Sequence, residues 1–257
     1  MKKLFIIILT LLIFTTTSQA QVYSTTAGGA WDQVTTWSGG VVPSVNDSVV
    51  IQGPVVLYFD NPTIFHLQIL AEGSLLDGWA SAITVTGNVW NDGVVNCTAG
   101  ANFEFQIGGD LHLNGDWLGD LTFTGTNNHY LSTASDIIFN PYNHILALES
   151  KIIALSDIYI SSINYPNIVA KEIDLSSGFS LYLSKNRLGQ AYYFTNGNIR
   201  TKVSGGVGSS IYMNVDSPTY MDQWFIEYCD LYDVTLKGNT FLGAEVRCFG
   251  EVINGDS

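Results

Sequence analysis

Short stretches in which apolar and polar residues alternate recur along the chain after residue 20. Alternation places every second side chain on the same side of a strand, so each stretch predicts a short β-strand with one buried face. Gly, Asn, Asp and Ser, which favour turns, separate the stretches, and long apolar runs at helical spacing are missing. We therefore predict an all-β protein. Clear examples are Val55–Tyr58, Ile83–Thr86, Phe103–Ile107, Phe179–Leu183 and Ser210–Val215.

Two neighbouring segments, 83–93 and 105–115, carry the same pattern. Val89 matches Leu111, which is an offset of 22 residues (111 − 89 = 22). A fixed offset of this size is typical of a coiled repeat, in which each coil covers the apolar face of the next. The pattern predicts a right-handed parallel β-helix, that is, a β-solenoid. The alternative is an antiparallel β-sandwich, where turns that end in Gly also recur.

Each matched segment ends in a turn dipeptide, Asp92-Gly93 in the first and Asn114-Gly115 in the second. Turns of this kind often need a positive φ, which Gly adopts without a steric penalty. We therefore expect Gly93 and Gly115 to lie in the left-handed region.

The first 20 residues read as a secretory signal peptide. Lys2 and Lys3 form a positive head, Leu4–Phe14 is an apolar run of 11 residues, and Ser18–Ala20 is a small-x-small cleavage site. Eleven residues are too few to span a bilayer, which needs about 20. We expect an exported protein, secreted or displayed at the cell surface, without a transmembrane segment after signal cleavage.

The mature chain is strongly acidic. Without Lys2 and Lys3 it carries 8 basic and 23 acidic residues, a net charge of −15 (8 − 23 = −15). No Lys or Arg occurs between Gln21 and Ser150, although 12 of the acidic residues lie there. Such a surface repels phosphate backbones, so nucleic acid is not an expected partner, and it suits a cation or a neutral sugar better.

Three cysteines give no disulfide framework of the kind found in small secreted domains. Cys229 and Cys248 could pair in an oxidising compartment, with Cys97 buried, or all three could remain free thiols. Cys/His spacing of the metal-binding type is absent from the sequence.

A motif of about 25 residues follows the signal peptide: G-x-W, then T-W-x-G-G-x-x-P, then D-x-V-x-I. It resembles the opening of secreted bacterial surface proteins that are right-handed parallel β-helices exported by the type IX pathway, and that of the eight-glycine extracellular domain. The residues 121–131 also resemble a coil of such proteins. The motif residues are Gly29, Trp31, Thr36, Trp37, Gly39, Gly40, Pro43, Asp47, Val49 and Ile51.

The first coil of a solenoid has an open apolar end that must be covered. We predict that residues 21–51 form an N-terminal cap and first coil, and that 52–257 form the solenoid, which continues in a longer protein. The alternative is that the two Trp side chains of the cap stack on sugar rings. The predicted cap residues are Trp31, Trp37, Gly39, Gly40, Pro43 and Asp47.

Four carboxylates lie close together in the chain, at Asp92, Asp110, Asp116 and Asp120. If the offset of 22 holds, they lie on neighbouring turns, where carboxylates could hold Ca²⁺. The alternative is that each Asp caps a turn of the backbone.

Aromatic residues cluster towards the C-terminal end, at Tyr192, Tyr193, Tyr220, Trp224 and Tyr228. Strand alternation sends part of them outward, where they could stack on sugar rings. The alternative is core packing.

No catalytic residues are predicted, because the sequence shows neither a paired acid and base in a recognisable context nor a nucleophile motif. We therefore expect a structural or adhesin-like module that binds polysaccharide at the cell surface without catalysis of its own. The alternative is a β-helical polysaccharide lyase or glycoside hydrolase.

Overall fold

A stack of parallel β-strands forms the fold. The ladders between described strands are parallel, except where Thr195–Asn196 pairs antiparallel with Ile199–Ser204. The chain is therefore a parallel β-helix, as predicted, and the β-sandwich alternative is wrong. The computed structural model describes residues 20–79, 81–97, 103–135, 139–141, 143–162, 167–185, 191–196, 199–214, 224–227, 229–238, 240–242, 246–251 and 253–254.

Each coil contributes strands to three faces. Face one consists of Gln21–Tyr23, Ser48–Ile51, His66–Ile69, Val89–Asn91, Leu111–Leu113, His129–Thr133, Ile199–Ser204, Cys229–Tyr232 and Arg247–Phe249. Face two consists of Gly29–Ala30, Pro54–Tyr58, Ser74–Trp79, Val94–Cys97, Asp116–Leu118 and Phe139–Asn140, followed by Ile158–Ser162, Leu181–Lys185, Ser210–Asn214, Thr235–Gly238 and Ile253–Asn254. Face three consists of Thr63–Ile64, Ala82–Val85, Glu104–Ile107, Asp120–Phe123, Ala191–Tyr193, Trp224–Glu227 and Thr240–Leu242.

Two long strands, His144–Ala154 and Asn167–Asp174, run through the corner between faces three and one. They join these faces into one sheet of 19 strands. In the described part of the chain the one helical segment is the 3-10 turn Val34–Thr36. None of the described residues forms a helix with the length and apolar character that crossing a membrane requires. The predicted signal peptide lies outside the described residues, except for Ala20.

The predicted offset of 22 is the observed register between the two matched coils. Val89 pairs with Leu111 on face one, and Val85 pairs with Ile107 on face three. All four side chains are buried, so stacked coils share one continuous apolar core. The offset changes elsewhere, because the corners differ in length.

Polar side chains tie neighbouring coils together at the corner between faces three and one. The backbone N–H of Asn88 donates to His66 Nδ1 at 2.7 Å, and the N–H of Asp110 donates to Asn88 Oδ1 at 3.0 Å. The N–H of Tyr130 donates in turn to Asp110 Oδ1 at 2.9 Å. Each corner therefore satisfies a backbone donor of the following coil.

Glycines form a column at the corner between faces one and two: Gly53, Gly73, Gly93 and Gly115. A Cβ added at Gly93 would lie 2.3 Å from the carbonyl oxygen of Gly73, and one at Gly115 would lie 2.0 Å from that of Gly93. Neither Gly93 nor Gly115 has a positive φ, so the expected left-handed conformation is wrong. Gly is required here because stacked backbones approach too closely for any side chain.

The predicted cap lies at the N-terminal end of face one. Residues 36–38 run antiparallel along the outer edge of the first strand, where Thr25 N–H donates to Thr36 O at 2.7 Å and Ser38 N–H donates to Tyr23 O at 2.9 Å. Trp31 and Trp37 are buried in the core with their rings edge to face, 4.9 Å between centroids. The Trp37 indole N–H donates to Trp31 O at 2.8 Å.

The remaining predicted cap residues differ in role. Asp47 accepts hydrogen bonds from the backbone N–H and the hydroxyl of Ser44, both at 2.7 Å, and Pro43 is buried. Gly40 has a φ of 66°, whereas Gly39 has neither a positive φ nor a neighbour within 4 Å of an added Cβ. The segment pairs with the edge of the first strand and buries two Trp side chains in the core. Its capping role stays a prediction.

Candidate functional site

The four predicted calcium ligands lie at different places around the coils. Asp92, at the corner between faces one and two, accepts a hydrogen bond from Asn114 Nδ2 at 2.8 Å. Asp110 lies at the corner between faces three and one, and Asp116 begins a strand of face two. Among the described residues, no group of three or more His, Cys, Asp and Glu side chains could hold a metal ion. Calcium binding stays a prediction.

Asp120 is the buried member of this set. Its carboxylate accepts hydrogen bonds from Asn143 Nδ2 at 2.7 Å, from Asn143 N–H at 2.5 Å and from His144 N–H at 3.1 Å. These donors belong to the next coil, so Asp120 holds two coils together. Its carboxylate is engaged by backbone and side-chain donors rather than turned towards solvent.

The predicted sugar-binding aromatic residues fall outside the described residues or the described side chains. Tyr220 and Tyr228 lie outside the described residues. Tyr192, Tyr193 and Trp224 belong to strands of face three, but their side chains are not among those described. Sugar binding by this set stays a prediction.

Cys229 and Cys248 are free thiols, the first buried and the second exposed. Burial raises the pKa of Cys229 to about 12, so this thiol stays protonated and is a poor nucleophile. The side chain of Cys97 lies outside those described.

Charged side chains of alternating sign stack along face one in the later coils. Lys151 pairs in register with Glu172, Glu172 with Lys202, Lys202 with Asp230 and Asp230 with Arg247. The Nζ atoms of Lys151 and Lys202 lie 2.6 and 3.1 Å from the two oxygens of Glu172, and Ser204 Oγ donates to Glu172 Oε1 at 2.6 Å. Burial opposes the charge of Glu172, but these three hydrogen bonds outweigh burial and lower its pKa.

Glu172→Gln is expected to lower the free energy of unfolding by about 2 kcal/mol at pH 7, because it removes charge-assisted hydrogen bonds. The folded-state pKa of Glu172 lies below its ordinary value of 4.5. The stabilisation is therefore complete above pH 4.5 and is lost as pH falls through the folded-state pKa. Denaturant unfolding should show a larger difference in stability between variant and parent at pH 7 than at pH 3. Glu149→Gln, an exposed carboxylate on a neighbouring strand, is the control, and an equal difference at both pH values would contradict the assignment.

Three aromatic side chains are exposed together at the corner where face two ends: Tyr58, Phe59 and Trp79, here called the aromatic platform. They are 51, 71 and 59 % exposed. The ring centroids of Phe59 and Trp79 are 6.2 Å apart, with planes within 18° of parallel. Tyr58 pairs with Trp79 in the next coil, so the platform spans two coils.

A register shift presents Trp79 at this corner. Leu57 pairs with Asp77 and Tyr58 with Trp79, so Gly78 is the extra residue of a β-bulge. Bulges bend a strand and redirect its side chains. The ring of Tyr58 lies over Gly78, where an added Cβ would be 2.6 Å from Tyr58 Cδ1, so only Gly leaves room for the ring.

Carboxylates fix both turns that carry the rings. Buried Asp77 accepts hydrogen bonds from the backbone N–H groups of Trp79 and Ser81, each at 3.1 Å. Asp60 accepts one from the N–H of Tyr58 at 3.0 Å. These hydrogen bonds therefore hold the backbone of both turns in place.

Sequence reasoning missed the platform because its residues lie at strand ends rather than in an aromatic run. The available signal was the pair of segments Tyr58-Phe59-Asp60 and Asp77-Gly78-Trp79, which place aromatic residues beside turn residues about one coil apart (79 − 58 = 21). Chemically, the platform offers flat apolar ring faces on which a ligand can stack.

Other described aromatic rings stack between neighbouring coils. The rings of Tyr159 and Tyr182 stack at 4.6 Å, and those of Tyr232 and Phe249 also stack at 4.6 Å. Trp90 stacks on His112 at 5.9 Å in the middle of face one and is 37 % exposed. These pairs stabilise the stacking of coils, because each joins residues that pair in register between neighbouring coils.

A shallow cleft of about 490 Å³ lies near the C-terminal end of the described chain. Its lining includes the Gly205–Gly208 loop, Asp233 and Glu251. Asp233 Oδ1 accepts a hydrogen bond from the N–H of Glu251 at 2.9 Å, so this carboxylate caps a turn. Asp233 and Glu251 are the carboxylates among its described lining residues.

Comparisons of this chain with protein-family models, with curated proteins and with solved structures gave no match.

Proposed function

We propose that the protein is an exported β-helical module, secreted or displayed at the cell surface, that binds polysaccharide without catalysis of its own. In this role the solenoid is a rigid scaffold with adhesin-like function, and the opening motif and signal sequence support export through the type IX pathway. The proposal predicts retention of a glycan chain and no change in its covalent structure.

The exposed aromatic platform is the observation that carries the proposal. In soluble proteins, large apolar side chains that are exposed next to one another often mark a ligand-binding or interaction site. Aromatic rings supply flat apolar surface for the apolar faces of sugars, and their edges leave the sugar hydroxyls accessible to polar groups.

The use of the carboxylates supports binding over hydrolysis or elimination. Asp77, Asp110 and Asp120 each accept backbone hydrogen bonds that hold a turn or join two coils. Lys202 and Arg200, two basic side chains of the later coils, form ion pairs with Glu172 and Asp230. These groups therefore have structural partners, which lowers their availability as acids or bases.

A binding and turnover assay on the mature 21–257 product tests the proposal. Retention on cellulose, xylan, alginate and polygalacturonate is measured with and without Ca²⁺, and released reducing or unsaturated ends are measured in parallel. We expect retention on at least one polysaccharide with no release above a protein-free blank. Release of ends would favour a lyase or hydrolase, and failure to be retained on any polysaccharide would contradict the binding function. Retention that depends on Ca²⁺ in the parent and is lost in Asp92→Asn would support the predicted calcium role.

A further inference from the structure

We infer that Tyr58, Phe59 and Trp79 form the binding site for a neutral glycan chain, which stacks on the nearly parallel rings of Phe59 and Trp79. The inference rests on the proposed polysaccharide binding and gives it a location and a ligand class. It differs from the sites predicted from the sequence, which lie at the opening motif and in the later coils.

The geometry of the rings favours a flat ligand with repeating units. Phe59 and Trp79 belong to successive coils, and their planes are within 18° of parallel at a centroid separation of 6.2 Å. Both side chains are more than half exposed, so both rings keep surface in contact with solvent. A sugar chain offers successive rings that can contact both aromatic side chains at once.

Backbone strain at Phe59 indicates that its position serves binding rather than folding. Phe59 has a φ of 59°, a conformation that bulky side chains rarely adopt because Cβ approaches the following carbonyl. Its side chain is the most exposed of the three, so core packing does not repay that strain. Strained residues held by their surroundings are typical of ligand sites.

Charge around the platform favours a neutral ligand over an acidic one. The platform carries Asp60 on its rim and lies in the segment 21–150, which contains no Lys or Arg. A uronate chain would meet an acidic surface without a cation to pair with, whereas an uncharged chain meets only hydrogen-bonding groups and ring faces.

Isothermal titration of the mature protein with cellohexaose, xylohexaose and a hexamer of galacturonic acid tests the inference. We expect at least one neutral hexamer to bind, and the acidic hexamer to bind at least about tenfold more weakly. Trp79→Ala should weaken binding of the neutral hexamer by about tenfold or more, because half of the stacking surface is lost. The control Trp90→Ala removes a partly exposed Trp outside the platform and should leave affinity unchanged.

Phe59→Asn separates binding from folding. Asn adopts the left-handed region more easily than Phe, so this variant should keep or raise the Tm while it weakens binding of the neutral hexamer by about tenfold. A residue with a structural role would instead lower the Tm when truncated. Full affinity in Trp79→Ala and Phe59→Asn would overturn the inference but leave the proposed function intact if the wild type still binds.

Two further outcomes would also overturn the inference. Equal affinity for the acidic and neutral hexamers would contradict the ligand class. A wild-type dimer in sedimentation velocity that becomes a monomer in Trp79→Ala would show that the platform contacts a second copy of the chain. If the wild type binds none of the hexamers and is retained on no polysaccharide, both the inference and the proposed function fail.

Discussion

Gly115→Ala is expected to lower the free energy of unfolding by about 3 kcal/mol, because the new methyl group has no space. An ideal Cβ at this position lies 2.0 Å from the carbonyl oxygen of Gly93 and 2.7 Å from the carbonyl carbon of Asp92. Both contacts are with backbone, which cannot move away without disturbing the hydrogen bond from Gly115 N–H to Asn91 O. Denaturant unfolding followed by far-UV circular dichroism measures the change.

Gly39→Ala is the matched control for this prediction. Gly39 has no positive φ and no heavy atom within 4 Å of an added Cβ, so its replacement should change stability by less than about 0.5 kcal/mol. If Gly115→Ala were as stable as Gly39→Ala, the close stacking of coils at this corner would be wrong.

Trp37→Ala is expected to cost about 3–5 kcal/mol, the usual range for removal of a buried Trp side chain. The side chain is 2 % exposed, packs edge to face against Trp31 and donates its indole N–H to Trp31 O. Its loss opens the end of the core, and in a solenoid the damage should begin in the adjacent coil, because each coil contacts only its neighbours. We therefore expect limited proteolysis to cut the variant first near its N-terminal end.

Two variants refine the test of the cap. Trp37→Phe keeps an aromatic ring but loses the indole donor, so it should fall between the parent and Trp37→Ala. Trp90→Ala removes a Trp side chain that is 37 % exposed, so it should lower the free energy of unfolding by less than Trp37→Ala does. A Trp37→Ala variant with parental stability and proteolysis would show that the segment does not cap the solenoid.

The fold could be predicted from the sequence because a coil repeat leaves two signals, a fixed offset between matched residues and an alternation of apolar residues. The offset between Val89 and Leu111 is the observed ladder register, and the alternation of apolar residues matches the buried positions. Coil length, however, was predicted as uniform, whereas Phe105 pairs with Leu121 after 16 residues and Leu121 with Ile145 after 24 (121 − 105 = 16, 145 − 121 = 24). Corners vary because they lie outside the core, so their length leaves no periodic signal.

The need for Gly at the corners was predicted, but the physical reason given for it was wrong. A turn dipeptide such as Asn114-Gly115 suggests a positive φ, because that is the commonest local reason for Gly. In the structure the reason is the neighbouring coil, since the backbone at Gly93 leaves no room for a Cβ at Gly115. The repeat places Gly93 and Gly115 on successive coils, but how closely their backbones approach is a property of the folded corner.

The candidate site was less predictable than the fold. An exposed ring at a strand end, such as Trp79, looks in sequence like any other strand residue, and its exposure depends on the bulge at Gly78. The strain at Phe59 is likewise a property of the folded backbone. Nothing in the sequence distinguishes Asp77 from the other aspartates, yet its hydrogen bonds make it a buried support for the turn of Trp79.

Hydrogen–deuterium exchange of the mature protein with and without saturating neutral hexamer tests the central claim most directly. The claim is that a neutral glycan binds across two coils at the aromatic platform. We predict slower exchange in the peptides that contain Tyr58–Asp60 and Asp77–Trp79, with unchanged exchange around Trp31 and around Glu172. Protection elsewhere with none in these two peptides would contradict the account.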